Sequence, residues 1–381
     1  MDTSALRPRR GYDERIGRTF QTVVIQPTSL CPGDCDYCYL PTRRQRRELL
    51  PLVAQAVARS IAEQDRRHDI DQPVSVVWHG GEPTALAISE FGRRLDAFED
   101  LRHAGKVKHS IQTGAFLLND DWCELLRRYR FSIGVSIDGP RAANVNRVDW
   151  AGKPLFDRAI RGIRLLQAHR LEFSVICVVS PETIHDPDAL MAFFADLGCT
   201  HVGFNIEEFE GTNTRTPVTH DAAQAFWEGV LAARSRHPHL RVRETDQLAA
   251  YLAQARTGRK EEWSTARHDP IPTVAWNGDT VLMSPELLGI KDDDHHDFVI
   301  ANVLSTSLPS MLRTADQAPY INDVLAGLDA CEDTCDYWAF CRGGHAANKY
   351  FETGTFTATT TAHCRNSRQA LVNALAATIK E

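Results

Sequence analysis

The stretch Thr22-Val-Val-Ile-Gln-Pro-Thr-Ser-Leu-Cys31-Pro-Gly-Asp-Cys35-Asp-Tyr-Cys38 decides how the rest of the chain is read. It joins a β-branched run, a strand over Thr22–Gln26 by composition, to three cysteines on one short loop. The C-x3-C-x2-C spacing lets three thiolates hold three corners of a cubic [4Fe–4S] cluster, leaving the fourth iron without a protein ligand. An iron with open coordination sites can bind a chelating small molecule. A zinc knuckle would instead need a fourth Cys or His within a few residues, and none occurs before His68.

Outward from this loop, short β-branched runs alternate with amphipathic stretches as far as about Glu210. Strands are predicted at Thr22–Gln26, Val74–Trp78, Lys108–Gln112, Ser132–Ser136, Phe173–Val179 and His201–Asn205. Helices are predicted at Leu50–Gln64, Glu90–Leu101, Asp120–Tyr129, Phe156–His169 and Asp188–Leu197. Near-continuous apolar strands read as a parallel sheet covered by helices, and six units make a partial rather than a closed eight-stranded barrel. In such barrels the site forms at the C-terminal ends of the strands. Cys31–Cys38, Gly80-Gly81-Glu82, Asp138 and Glu207 all fall just after a strand.

Beyond Gly211 the texture changes. Asn213–Pro217 reads as a polar turn, Asp221–Arg234 and Glu244–Thr257 as helices, and Arg259–Asp269 as an exposed charged stretch. Asn277-Gly278 between Val274–Trp276 and Thr280–Met283 predicts a hairpin. Lys291–Asp297 carries four aspartates and two histidines, but adjacent side chains seldom converge on one ion, so a solvated loop is expected.

The 381 residues are 43% hydrophobic and 24% charged, enough for one large core or two smaller ones. A net charge of −7 argues against nucleic-acid binding, and no apolar run is long enough for a membrane span or resembles a signal peptide. Ten cysteines without a secretory signal point to ligands and buried thiols, hence a reducing cytoplasm. Cys123, Cys177 and Cys199 sit among apolar residues and read as core thiols; the other seven fall in two groups.

His79-Gly-Gly-Glu-Pro83 follows the second strand, and Ser136-Ile-Asp-Gly-Pro140 closes the fourth. With the cysteine loop, these motifs resemble the signature of the radical SAM superfamily, whose enzymes hold and cleave S-adenosylmethionine (SAM). The resemblance implies that Tyr37 lies near the adenine and that Gly80, Gly81 and Glu82 hold the amino group. It further implies SAM contacts at Gln112, Ser136 and Asp138, with Arg147 pairing the carboxylate. Two departures stand out. The third strand ends Gln112-Thr-Gly114 where relatives often read Gln-Thr-Asn, and the His-Asp pair common after the second motif is missing.

Phe204-Asn-Ile-Glu207-Glu208-Phe-Glu210-Gly211 brings carboxylates to the barrel mouth. They can bind a cationic substrate group or accept a proton, Glu207 and Glu208 being the candidates; the competing reading is a solvated helix start. Arg43, Arg44, Arg46 and Arg47 are expected at the exposed start of a helix.

Cys331, Cys335, Cys341 and the distant Cys364 form a second four-thiolate set, for iron–sulfur or for structural zinc. The arrangement resembles the C-terminal SPASM domain of radical SAM peptide-modifying enzymes, which usually has seven cysteines and two auxiliary clusters. Here the hairpin cysteines are absent and His345 stands where another is expected. The resemblance therefore implies one auxiliary [4Fe–4S] cluster, ligated by the four cysteines that remain.

Tyr39-Leu-Pro41, Asn205-Ile-Glu-Glu208, Gly343-Gly-His-Ala-Ala-Asn-Lys349, Phe351-Glu352, Gly354-Thr-Phe356 and Cys364-Arg365 sharpen the resemblance toward cyclophane-forming radical SAM/SPASM peptide maturases. Those enzymes crosslink an aromatic side chain to an unactivated carbon. The implied fold is α/β, a partial (β/α)6 TIM-like barrel with a C-terminal SPASM/twitch-like iron–sulfur domain. The expected divisions are an N-terminal extension (1–20), the barrel (21–211), a helical bridge (212–270) and the auxiliary-cluster domain (271–381). The implied partners are a precursor peptide and a flavodoxin- or ferredoxin-type reductant, with no separate leader-recognition domain. A radical SAM dehydrogenase or epimerase acting on a small molecule such as a sugar is the rival. A sulfatase-type maturase lacks support from the missing cysteines, and a bare iron–sulfur scaffold leaves Gly80–Glu82 and Ser136–Pro140 unexplained.

Overall fold

Residues 10–68 and 71–380 are described by a computed structural model. Their strands are β1 (Thr22–Ile25), β2 (Val74–Trp78), β3 (Val107–Thr113), β4 (Ser132–Ser136), β5 (Phe173–Val179), β6 (His201–Ile206), β7 (Arg241–Val242), β8 (Thr273–Val274), β9 (Asp279–Val281) and β10 (Ala301–Asn302). They form one sheet in the order β10-β9-β8-β1-β2-β3-β4-β5-β6-β7. From β8 through β1 to β7 every neighbouring pair is parallel, and β9 and β10 add an antiparallel edge. The six strand–helix units read from the sequence are the body of this sheet. Two-residue β7 is an addition too short to leave a periodic signal.

Helices cover the sheet as their apolar spacing requires. Pro51–His68 buries Val53, Ala54, Val57, Ile61 and Gln64 against it. The Gln64 side chain closes the last turn by bonding Phe20 N and O, each at 2.8 Å. Asn119 caps Asp120–Arg128 by accepting from Trp122 N, and Asp186 with Pro187 starts the helix Pro187–Asp196.

Two expectations need correction, and a third gains detail. The arginine run Arg43–Arg47 is a turn, and the helix begins only at Pro51. The carbonyls of Arg43 and Arg47 accept the N–H groups of Cys31 and Ser29, each at 2.9 Å, which keeps this backbone from coiling. The Glu90–Leu101 segment is broken into Ile88–Leu95, a tight turn at Asp96–Phe98, and Glu99–His103. The charged stretch after Arg259 contains the short helix Lys260–Thr265, anchored by Trp263, whose ring packs on Tyr251 and whose N–H donates to Phe340 O.

The later part of the chain returns to the barrel. Strand β8 pairs with β1, and the helix Pro319–Thr334 carries Asp329 and Glu332, which pair with buried Arg15 near the N-terminal end of the described chain. Trp227 on the helix His220–Ala233 donates to Asn366 O at 2.8 Å, holding the segment after Cys364 on the barrel's flank. Among the described residues no helix is long and apolar enough to cross a membrane.

Candidate active site

The cysteine loop leaves β1 and is tied down from three sides. Trp150 Nε1 donates to Cys31 O at 2.8 Å, Arg43 donates to Cys35 O, and Asp36 N bonds Asn146 O. Arg43 and Arg44 stack on the Trp150 ring, so two members of the basic run cover the loop from outside. Cys31, Cys35 and Cys38 are all half-buried and unbridged, and each thiol is an electrostatic neighbour of the others. Burial pushes the Cys35 thiol up to about 11 and the Cys31 thiol higher still, with Glu82 adding to the rise at Cys31. Neutral thiols gathered in a low-dielectric loop favour a cation that takes the place of their protons. The donor set fits three iron ligands.

After β2, Gly81 adopts φ +65°, and a Cβ there would lie 2.4 Å from Thr28 O. That close approach sets Glu82 beside the cysteine loop. Glu82 is 3% exposed, accepting from Thr84 Oγ1 (2.6 Å), Thr113 Oγ1 (2.6 Å) and Gly114 N (2.8 Å). The third strand thus contributes the Gly114 N–H to the Glu82 carboxylate. Gln112 Nε2 donates to Ser136 Oγ at 2.7 Å, linking the ends of β3 and β4.

Asp138 is 2% exposed and fully engaged. Its carboxylate accepts from Arg147 Nε (2.9 Å), Arg147 Nη2 (3.0 Å), Val178 N (2.9 Å) and the Tyr37 hydroxyl. Arg147 also lies over the Tyr37 ring. Asp138 and Arg147 thus face each other as a bidentate pair that fixes Tyr37.

At the end of β6, Glu207 is buried; Oε1 meets Arg215 Nε at 3.0 Å while Oε2 has no hydrogen-bond partner. Burial raises the Glu207 carboxyl, and Arg215 partly offsets this. Glu208 turns the other way, with His363 Nδ1 2.7 Å from its Oε2, inside ion-pair distance but off the line of a hydrogen bond. Glu210 gathers with Glu286 and His345, their ligand atoms within 4.8 Å of one another. Burial, then the nearby Glu286 and Glu208, raise the Glu210 carboxyl well above its usual range. No helix begins here, since the next runs His220–Ala233.

Sequence reasoning missed Arg215. It reaches Glu182 (2.6 Å), Asn146 (3.0 Å), Asp36 (3.5 Å) and Glu207, joining loops from four parts of the barrel rim. An arginine in a polar turn carries no sequence signal of such convergence. Glu286 and His363 were missed for the same reason.

The second cysteine group lines one pocket: Cys331, Cys335, Cys341 and Cys364, with Trp338 and Lys349. Cys331 ends the buried face of Pro319–Thr334, and Cys364 opens a π-helical turn over Cys364–Gln369, an irregularity frequent at functional sites. Burial lifts the Cys341 thiol to about 11, with Cys364, Cys331 and Cys335 contributing. Four mutually adjacent thiols fit a fully cysteine-ligated metal group. Asp292 bonds His295 and Tyr350, and Asp297 bonds Lys291, so these side chains are engaged with the turn and its neighbours.

A family model described as the Radical SAM superfamily matches residues 25–194. The uncharacterized protein sll1766 of Synechocystis sp. is 32% identical over 380 residues, covering 94% of this chain and 92% of that one. The serine-type anaerobic sulfatase-maturating enzyme of Bacteroides thetaiotaomicron is 28% identical over 187 residues, 48% of this chain and 45% of the relative. Among solved structures, anSMEcpe with bound AdoMet and Cp18Cys peptide superposes with a TM-score of 0.74 at 18% identity, covering 94% of this chain and 98% of that one. SuiB of Streptococcus suis bound to precursor peptide SuiA gives 0.65 at 17% identity, covering 92% and 76%. At these identities the structural likeness is one of fold.

Proposed function

Because the chain belongs to the radical SAM superfamily, we propose that it modifies a ribosomally made precursor peptide by an oxidative crosslink, a cyclophane between an aromatic side chain and an unactivated carbon. The observation that carries this reading is the pairing of an open three-thiol loop at the barrel mouth with a separate four-thiol pocket. That two fold relatives were solved with peptides bound supports a peptide over a sugar as substrate.

Cys31, Cys35 and Cys38 would hold the SAM-binding cluster, and Cys331, Cys335, Cys341 and Cys364 an auxiliary one. When bound, these groups supply a 5′-deoxyadenosyl radical at the first site and an electron acceptor at the second. Glu82, one oxygen of which accepts a single bond, has capacity left for the SAM amino group. The Asp138–Arg147 pair holds Tyr37 against the loop. Glu207, raised by burial and with Oε2 unbonded, is the acceptor for the proton that a substituted aromatic ring must shed. The Glu210, Glu286 and His345 group offers hydrogen-bonding partners to a polar side chain of the peptide. A flavodoxin- or ferredoxin-type protein would deliver the electron that starts each turnover, in a reducing cytoplasm.

Co-expression with the peptide encoded beside this gene, under anaerobic conditions, tests the proposal by mass spectrometry. The expected product is lighter by two hydrogens and accompanied by 5′-deoxyadenosine. A product of unchanged mass would mean epimerisation, and SAM cleavage without any peptide product would return the small-molecule rival.

A further inference from the structure

We propose that Lys349 raises the reduction potential of the auxiliary cluster and so makes it an electron acceptor; this rests on reading the four C-terminal cysteines as cluster ligands. Lys349 lies on the helix Ala346–Thr353 and is 6% exposed. Its Nζ stands 3.2 Å from Cys331 Sγ and 3.0 Å from Gly327 O. Among the described residues no carboxylate lies within ion-pair distance of it, so the Cys331 sulfur is the anion-forming group it meets. Gly327 makes the approach possible, because a Cβ there would sit 3.3 Å from Nζ and 2.0 Å from Phe356 O. A lysine is costly to bury without an anionic partner, and a cluster thiolate is one.

Two further contacts act in the same sense, while Asp336 acts the other way on Cys335. Thr361 N donates to Cys364 Sγ at 3.1 Å, and the charge of Arg368 acts on Cys341. At the other site the cations near the thiols are offset. Arg147 is bonded to Asp138, and Glu82 sits against Cys31. Hydrogen bonds to the sulfurs and local net charge set cluster potentials. Reduction adds one negative charge, and a cation at Cys331 with no carboxylate partner favours that state.

The consequence for the reaction is an electron balance. Forming the crosslink joins a substrate carbon radical to an aromatic ring, and the adduct becomes aromatic by losing one electron and one proton. Held by the four C-terminal cysteines, an oxidised auxiliary cluster would take up that electron, and a carboxylate at the barrel mouth the proton. An acceptor protein of the flavodoxin class would then carry the electron away.

The test is a redox titration of the auxiliary cluster, followed by its EPR signal, in full-length protein lacking Cys31, Cys35 and Cys38. Lys349→Met should shift the midpoint to lower potential, and Lys349→Arg should shift it less, with cluster iron unchanged in both. Equal midpoints for wild type and both variants, at full iron content, would overturn the proposal. If Lys349→Met fails to assemble a cluster, Lys349→Gln against Lys349→Arg decides: the neutral variant must lie lower, and coincidence sinks the idea. Zinc in place of iron at the four cysteines would fail the cluster reading itself, and metal analysis shows that before any potential is measured.

Discussion

The two thiol sites use opposite designs. The N-terminal one puts three cysteines on a single loop within a few residues, so its geometry is local, and its support comes from buried ion pairs and hydrogen bonds reaching in from the next strands. The C-terminal one takes its thiols from a helix end, two short turns and a π-helical turn, so four cysteines meet only when the whole region has folded. Three ligands leave an iron open for chemistry, whereas four close the group off and suit it to electron transfer. The nearest charges differ as well: Arg147 is paired with Asp138 at the open site, whereas Lys349 meets a ligand sulfur directly at the closed one. On the proposed reading, one site would hold a reactant and the other an electron.

The sharpest way to break this comparison is to delete each site in turn. Reconstituted wild type should carry about eight irons, from two cubane clusters of four each. Replacing Cys31, Cys35 and Cys38 with Ala should remove half the iron and all 5′-deoxyadenosine formation. Replacing Cys335 and Cys341 should also remove half, yet leave some uncoupled SAM cleavage while crosslinked peptide disappears. Circular dichroism must first show that the second variant is folded, because metal loss can unravel a domain built around it. A folded variant without the C-terminal cluster that still makes product would reverse the assignment of roles.

How much of this was legible differs between the sites. The barrel strands were readable because they are near-continuous runs of β-branched residues, and β2, β4 and β5 appear with the predicted ends. The cysteine spacing was readable because the first site is local. The pairing of acids with their partners was not. Asp138 and Arg147 were each expected near SAM, and the pair they make with one another was not foreseen, because the turn after Pro140 swings Arg147 back across the end of β4. Arg215, His363 and Glu286 acquire meaning only through contacts between segments far apart in sequence. The misread arginine run shows the same limit: backbone bonds to the cysteine loop, invisible in a charge pattern, hold it as a turn.

Smaller in effect is the loss of the ion pair beneath the open site. Asp138→Ala would strand the half-buried Arg147 and leave the Tyr37 hydroxyl and Val178 N–H without their acceptor. Breaking a buried pair from one side costs on the order of 3–5 kcal/mol. Anaerobic denaturant unfolding should register that loss. Iron should leave the N-terminal loop first, with the C-terminal four irons (roughly half the total) retained. Equal loss from both sites would mean that the two are one cooperative unit rather than two designs.

The smallest expected effect isolates ligand binding from scaffold. Glu82 is anchored by Thr84, Thr113 and Gly114, so its carboxylate is held in place before SAM arrives. Such preorganisation means that binding does not have to freeze the side chain. Glu82→Ala removes one charge-assisted hydrogen bond to the SAM amino group, worth about 1.5–3 kcal/mol. SAM affinity should fall accordingly in equilibrium dialysis, while the visible spectrum of both clusters stays as in wild type. The anchoring residues supply the control: Thr113→Val leaves the carboxylate but loosens it, and should weaken SAM binding less than Glu82→Ala. Unchanged affinity in Glu82→Ala would reduce the Gly-Gly-Glu stretch to a turn that packs against the cysteine loop. The open site would then owe its SAM binding to the exposed iron and the β4 edge alone.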